Sequence, residues 1–108
     1  MLIKYLTHRY GGDHAMLDRA ELRLAQYNSE APMGVVYVAP WIKYARSGVG
    51  ERRAWQWIGQ DISQCDGVVH DYDGASALSD GQLREGVIAK THGKTVETGW
   101  LKSDEKGA

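Results

Sequence analysis

Val35-Val36-Tyr37-Val38-Ala39, closed by Pro40, is a continuous apolar run without polar alternation. A strand with one wet face alternates apolar and polar residues, so an unbroken run is expected of a parallel strand covered on both faces. Gly67-Val68-Val69-His70 repeats the pattern. Both segments are therefore expected as fully buried strands. Working outward, Leu2-Ile3-Lys4-Tyr5-Leu6-Thr7 is a short β-prone run stopped by Gly11-Gly12, and Lys94-Thr95-Val96-Glu97-Thr98 is a fourth, weaker one.

Helical periodicity fills the gaps between these runs. Asp13 is placed to cap a helix from His14 to about Asn28, with Leu17, Ala20, Leu24 and Tyr27 on one face. A second helix runs from about Glu51 to Gln64, turning Trp55, Ile58, Ile62 and Cys65 toward the core. Ser79-Asp80-Gly81-Gln82 has the capping-box form, Ser followed three residues later by Gln. The helix it opens carries Leu83, Val87 and Lys90 on one stripe and ends at Gly93, a natural C′ residue. Trp41 to Gly50 reads as a loop, with Ser47, Gly48 and Gly50 as its punctuation. Alternating strands and helices in this length predict an α/β fold: a small parallel sheet of four to five strands with helices on both faces.

The chain has 108 residues, enough for one core, read as a single domain over 1–101 and a polar, frayed tail over 102–108. Thirteen Lys+Arg against fourteen Asp+Glu leave a net charge of -1, which argues against bulk-charge binding to nucleic acid or anionic membrane. The apolar runs are too short for a membrane span, and the N-terminal run is interrupted too soon for a signal peptide. The single Cys65 supplies neither an internal disulfide nor a zinc cluster. A cytoplasmic protein without metal or cofactor is the expectation. Four Trp in so small a domain predict a homodimer or higher homo-oligomer using part of the second helix or the Trp41 segment.

In parallel sheets ligands sit beyond the carboxyl ends of the strands, at the point where strand order reverses. That rule selects three loops. Thr7 to Asp13 offers Arg9, which suits a phosphate or carboxylate, and Gly11-Gly12, which let backbone approach a ligand. Pro40 to Gly50 is the second loop. His70 to Gly81 brings Asp71 and Asp73, paired carboxylates of a kind used in acid/base work and equally common in turns. It leads to Ser79 and Gly81 at a helix N-terminus, where N–H groups attract anions, and on to Glu85 in that helix. No HExxH, CxxC, Walker A or dinucleotide fingerprint occurs in the sequence.

Taken in order, these pieces resemble a known family: Arg-x-Gly-Gly after the first strand, Ala39-Pro40 after the second, Cys65-Asp66-Gly67-Val68-Val69, Ser79-x-Gly81-x-x-x-Glu85-x-x-x-Ala89, then Gly93-Lys94-x-Val96. The chain resembles the nucleoside 2-deoxyribosyltransferase-like superfamily, which includes deoxynucleoside 5′-monophosphate N-glycosidases and small phage-type members, over about Leu2 to Val96. The resemblance implies a flavodoxin-like fold and hydrolysis or transfer of the N-glycosidic bond of a (deoxy)nucleoside or its 5′-monophosphate. Glu85 would be the nucleophile at C1′, suited to an oxocarbenium-like transition state. Ser79 and Gly81 would hold the 5′-phosphate, the Arg9–Gly12 loop would close over the ligand, and Tyr5 and Thr7 would line the cleft. One position departs. The family's base-protonating Asp lies eight residues before the position of Asp66, and here that residue is Ile58. Asp71 and Asp73 are the carboxylates of the next loop that stand in reserve for the role. The alternative is a protein that binds a nucleotide or nucleotide-derived signal in the same cleft without cleaving it; a third is an interaction module built on Trp41, Trp55 and Trp57.

Overall fold

A computed structural model of the chain describes residues 1–105. Four strands, β1 (Leu2–Thr7), β2 (Val35–Val38), β3 (Gly67–His70) and β4 (Thr95–Thr98), alternate with helices α1 (His14–Glu30), α2 (Trp41–Arg46), α3 (Glu51–Gln64), α4 (Asp80–Thr91) and α5 (Lys102–Glu105). The sheet is all-parallel in the order β2-β1-β3-β4. This is a small flavodoxin-like α/β fold, and its strand order reverses between β1 and β3.

Side-chain alternation assigns the two faces. Ile3, Tyr5, Val68 and Val96 pack with Ile58 and Ile62 of α3 and Ala89 of α4. Leu6 and Val69 point the other way, against Tyr27 and Leu24 of α1 and against Leu101. Helices therefore cover both faces. β3 is buried along its whole length, as its unbroken apolar run predicts.

β2 departs from that expectation, because all four of its residues are only half-buried. It is an edge strand, so one flank has no neighbouring strand to cover it. Asn28 blocks that flank: its side-chain amide donates to the Tyr37 carbonyl (2.9 Å) and its carbonyl accepts from the Tyr37 N–H (2.8 Å). The clamp occupies backbone groups that would otherwise template another strand.

Three further expectations are corrected. Trp41 to Gly50 is not all loop, because α2 begins directly after Pro40, whose fixed φ suits a helix start. Trp41 is only 7% exposed and its indole N–H donates to the Leu6 carbonyl (2.9 Å), so it serves the core and offers no outer surface. The tail is structured as α5 over its first residues, with Asp104 bonded to Arg23 (2.7 Å); residues 106–108 lie outside the described residues. No helix among the described residues is long and apolar enough to cross a membrane.

On α4 the apolar stripe faces outward. Leu83 and Val87 are 52% and 64% exposed, while Gln82, Glu85, Gly86 and Ala89 form the buried face. Helical spacing groups residues without saying which group meets the sheet. Here close approach decides it: a Cβ added at Gly86 would lie 2.9 Å from His70 Nε2, so the helix lies against that ring.

Candidate functional site

The carboxyl ends of β1 and β3, where the strand order reverses, carry two distinct arrangements. The outer one is an ionic network. Arg23 of α1, itself buried, clamps Asp71 through Nε (2.8 Å) and Nη2 (2.7 Å). Tyr27 adds a hydroxyl bond to Asp71 Oδ1 (3.2 Å). Arg19 clamps Asp73 through Nε and Nη2, both at 2.7 Å, and His8 Nε2 meets the same carboxylate at 2.9 Å. Arg9 donates to the backbone carbonyls of Tyr72 (2.8 Å) and Asp73 (3.4 Å), tying the β1–α1 loop to the β3–α4 loop. The arginines and His8 hold the Asp73 carboxyl well below the usual carboxylate range, against the opposing effect of burial.

Both carboxylates reserved for the acid role are paired with guanidinium groups, Asp71 with Arg23 and Asp73 with Arg19. Arg9 is turned toward the carbonyls of the neighbouring loop, with its Nε outside these bonds. Gly11 and Gly12, at φ 59° and 78°, form the exposed turn before α1, with open space beside each Cα.

The N-terminus of α4 is also self-contained. Ser79 Oγ accepts from the Gln82 N–H (3.2 Å) and Gln82 Oε1 accepts from the Ser79 N–H (3.1 Å), closing the capping box. Gln82 then reaches further: its Nε2 donates to Thr7 Oγ1 (3.1 Å) and to the Asp71 carbonyl (2.9 Å). Thr7 Oγ1 is hydrogen-bonded to His70 Nδ1 (2.8 Å). Ser79 thus caps the helix start, and Gln82 joins it to β1 and to the residue after β3.

The inner arrangement lies on the α3/α4 side of the sheet. Glu85 is 6% exposed, and its Oε2 is enclosed without a hydrogen-bond partner. The Tyr5 hydroxyl neighbours this carboxyl, and its oxygen is also enclosed without a hydrogen-bond partner. Burial pushes the Glu85 carboxyl up to about 8, with the Tyr5 hydroxyl pulling weakly the other way. Burial likewise raises Tyr5, and the carboxylates of Glu85 and Asp61 add to the effect. Asp61, on α3, accepts a 2.6 Å hydrogen bond from Tyr44 of α2. Buried polar groups are normally paired, and unpaired ones with perturbed titration mark functional sites more often than chance.

The structure therefore brings Tyr5 to Glu85 and assembles Thr7, Arg9, Asp71, Asp73 and Ser79 into a scaffold around the loops. Sequence reasoning missed Arg23, Gln82, His8 and Asp61. Arg19, Arg23 and Tyr27 recur every four residues on α1, a stripe that faces the two Asp of the β3–α4 loop, and that spacing was the available signal. Asp61 sits one helical turn beyond Ile58 on α3. An open groove of about 580 Å³ runs along the β2 edge between Leu24, Val38 and Cys65, and Asp61 lines it while Tyr5 and Glu85 do not. Among the described residues no group of three or more His, Cys, Asp or Glu is placed to hold a metal ion. No protein-family model matches the chain, and no curated protein matches it.

Proposed function

We propose that the protein hydrolyses or transfers the N-glycosidic bond of a (deoxy)nucleoside or its 5′-monophosphate, with Glu85 as the nucleophile. The observation that carries this reading is the enclosed, unpaired Glu85 carboxyl beside the unpaired Tyr5 hydroxyl. In the first step a Glu85 oxygen bonds to C1′ while the C1′–N bond breaks, its electron pair leaving with the base. The leaving base takes its proton from water. Water or a second base then attacks C1′ and frees Glu85.

The test is base release from the four common deoxynucleosides and their 5′-monophosphates. Glu85→Gln keeps the shape and removes the charge, so turnover falls by several orders of magnitude, roughly the loss seen when a nucleophile is removed elsewhere. A nucleophile must be ionised, so kcat/KM rises with pH and levels off above about 8, the position to which burial moves this carboxyl. Undiminished release by Glu85→Gln removes the mechanism.

One observation favours a second reading. A carboxyl titrating near 8 is largely protonated at neutral pH and offers a hydrogen bond in place of an attack. In that case the cleft holds a nucleotide or nucleotide-derived signal without cleaving it, and ligand-induced melting shifts occur with no base released.

A further inference from the structure

β4 is the second edge of the sheet, and it is guarded differently from β2. Asn28 occupies the outward backbone groups of β2 at Tyr37, whereas β4 carries no such clamp among the described residues. The Gly99 N–H donates to the His70 carbonyl (2.7 Å), so the backbone of Gly99 faces β3. Backbone groups alternate sides along a strand. Glu97 therefore faces β3 as well, while Val96 and Thr98 turn their N–H and C=O groups outward. An uncovered edge of this kind is a template for a further strand.

The helix beside this edge is apolar where it overhangs. α4 lies over β3 and β4 together, since a Cβ at Gly86 would meet both the His70 ring and Val96 Cγ1 (3.8 Å). Arg84 stacks on Trp55 of α3, 4.1 Å from the ring centroid, which assigns that flank of α4 to α3. The opposite flank, toward the open edge, carries Asp80, Leu83, Val87 and Lys90, all exposed. An acid opens this stripe, a base closes it and two apolar residues lie between. Such a stripe is complementary to its own antiparallel copy.

We propose that β4 and the outer flank of α4 form an interface between two copies of this chain. A two-fold axis perpendicular to the sheet at Glu97 pairs Val96 with Thr98 of the second copy, and Thr98 with Val96 of the second copy. All the outward groups of these residues are then satisfied. The two α4 helices lie antiparallel on one face. Each helix axis sits about half a strand spacing inside its own β4, so the helices are roughly 10 Å apart, a normal packing distance. Leu83 and Val87 fill the seam, and each Asp80 meets Lys90 of the second copy. Trp100, 57% exposed, falls opposite Lys94 of the second copy, an ammonium for its ring. The two Glu97 carboxylates flank the axis, each already paired with Lys4 of its own chain (2.7 Å). This surface is distinct from the second helix and the Trp41 segment, and the proposal does not depend on which ligand the protein takes.

Sedimentation of the intact chain over a range of micromolar concentrations tests the proposal, and the expected species is a dimer. Val87→Asp sets an unpaired carboxylate in the seam and raises the dissociation constant roughly a hundredfold. Asp80→Lys and Lys90→Asp each turn an attraction into a repulsion at both ends of the interface, raising it roughly tenfold. Combining those two changes restores the pairing with its signs exchanged, and the dimer returns. Hydrogen exchange in the unmodified chain gives a reading free of substitutions. The Val96 and Thr98 amides are protected in the dimer and lose protection on dilution, while the inward-facing Glu97 amide keeps it. A monomer at every concentration overturns the proposal. So does a dimer with freely exchanging Val96 and Thr98 amides, or one indifferent to the charge exchange. Protection of those amides in a monomer also overturns it, because another part of the chain would then cover the edge. Should a variant fail to fold, the exchange measurement decides by itself.

Discussion

Glu85 is a titratable group placed where its charged form is poorly tolerated, and the consequence can be measured without knowing any ligand. Its carboxyl is raised from 4.5 to about 8, so the folded state holds the proton more tightly than the unfolded chain does. That contribution is fully present below the unfolded value and is lost as pH rises to the folded one. His70 acts oppositely, because burial and Lys90 lower it from 6.5, and its effect ends once pH passes 6.5. Between about 6.5 and 8 Glu85 therefore acts without that compensation. Wild-type stability falls by about 2 kcal/mol over this interval, at 1.4 kcal/mol per unit. Urea midpoints measure it, and Glu85→Gln should flatten the curve; an equal slope in both proteins would show that Glu85 is not the source. Gly86 makes a second residue-scale case. Alanine is the better helix former by about 1 kcal/mol. Its Cβ would nonetheless lie 2.9 Å from His70 Nε2, a ring pinned by Thr7. Overpacking of this kind costs about 1–3 kcal/mol, so Gly86→Ala should lose stability overall, and a gain in urea midpoint would mean the ring moves freely.

At the level of elements, the legible features were those decided by neighbours in the chain. β1 and β3 have the expected bounds, Asp13 caps α1 by accepting from the Ala15 N–H, and both bonds of the Ser79–Gln82 capping box form. What was not legible depends on packing between elements. The exposed Leu83–Val87 stripe and the buried Gln82–Glu85 face of α4 could not be told apart by spacing, because a polar face is buried only where a partner such as Thr7 awaits it. Glu85 could be singled out in sequence, whereas the pairing of Asp71 and Asp73 with arginines of α1 could not, because it joins residues far apart in the chain. That pairing is testable at α1 itself. Arg23→Leu leaves Asp71 buried without its guanidinium, and breaking a buried pair from one side costs about 3–5 kcal/mol. Adding Asp71→Asn removes the orphaned charge, so the double variant should be more stable than the sum of the single effects allows. Strict additivity in urea unfolding would mean the two residues do not act as a pair.

For the whole molecule, the same arginine joins parts of the chain that are far apart in sequence. Arg23 holds Asp71 at the end of β3 and Asp104 in α5, and Glu30 at the end of α1 accepts from the Lys102 N–H (2.5 Å). α1 is thereby fixed to the strand-order reversal and to the segment after β4 at once, on the face where Leu101 closes the smaller apolar cluster. Hydrophobic burial on this face is modest, so the carboxylates matter to global stability. Asp73 and Asp104 are both held below the usual carboxylate value by arginine, with His8 contributing at Asp73. For groups lowered by folding the sign is opposite to that of Glu85. Their stabilisation is present above the unfolded value of 3.8 and is lost as pH falls below it toward the folded values. Unfolding free energy should therefore decline steeply below about pH 4. Asp73, almost fully covered, carries more of that decline than the half-exposed Asp104, whose pairing is screened by solvent. Urea titrations between pH 2 and 5 should show the acid slope reduced in Asp73→Asn and nearly unchanged in Asp104→Asn. The reverse ranking would place the decisive ion pair at α5, making the segment after β4, and not the loops at the reversal, the element that holds the fold closed in acid.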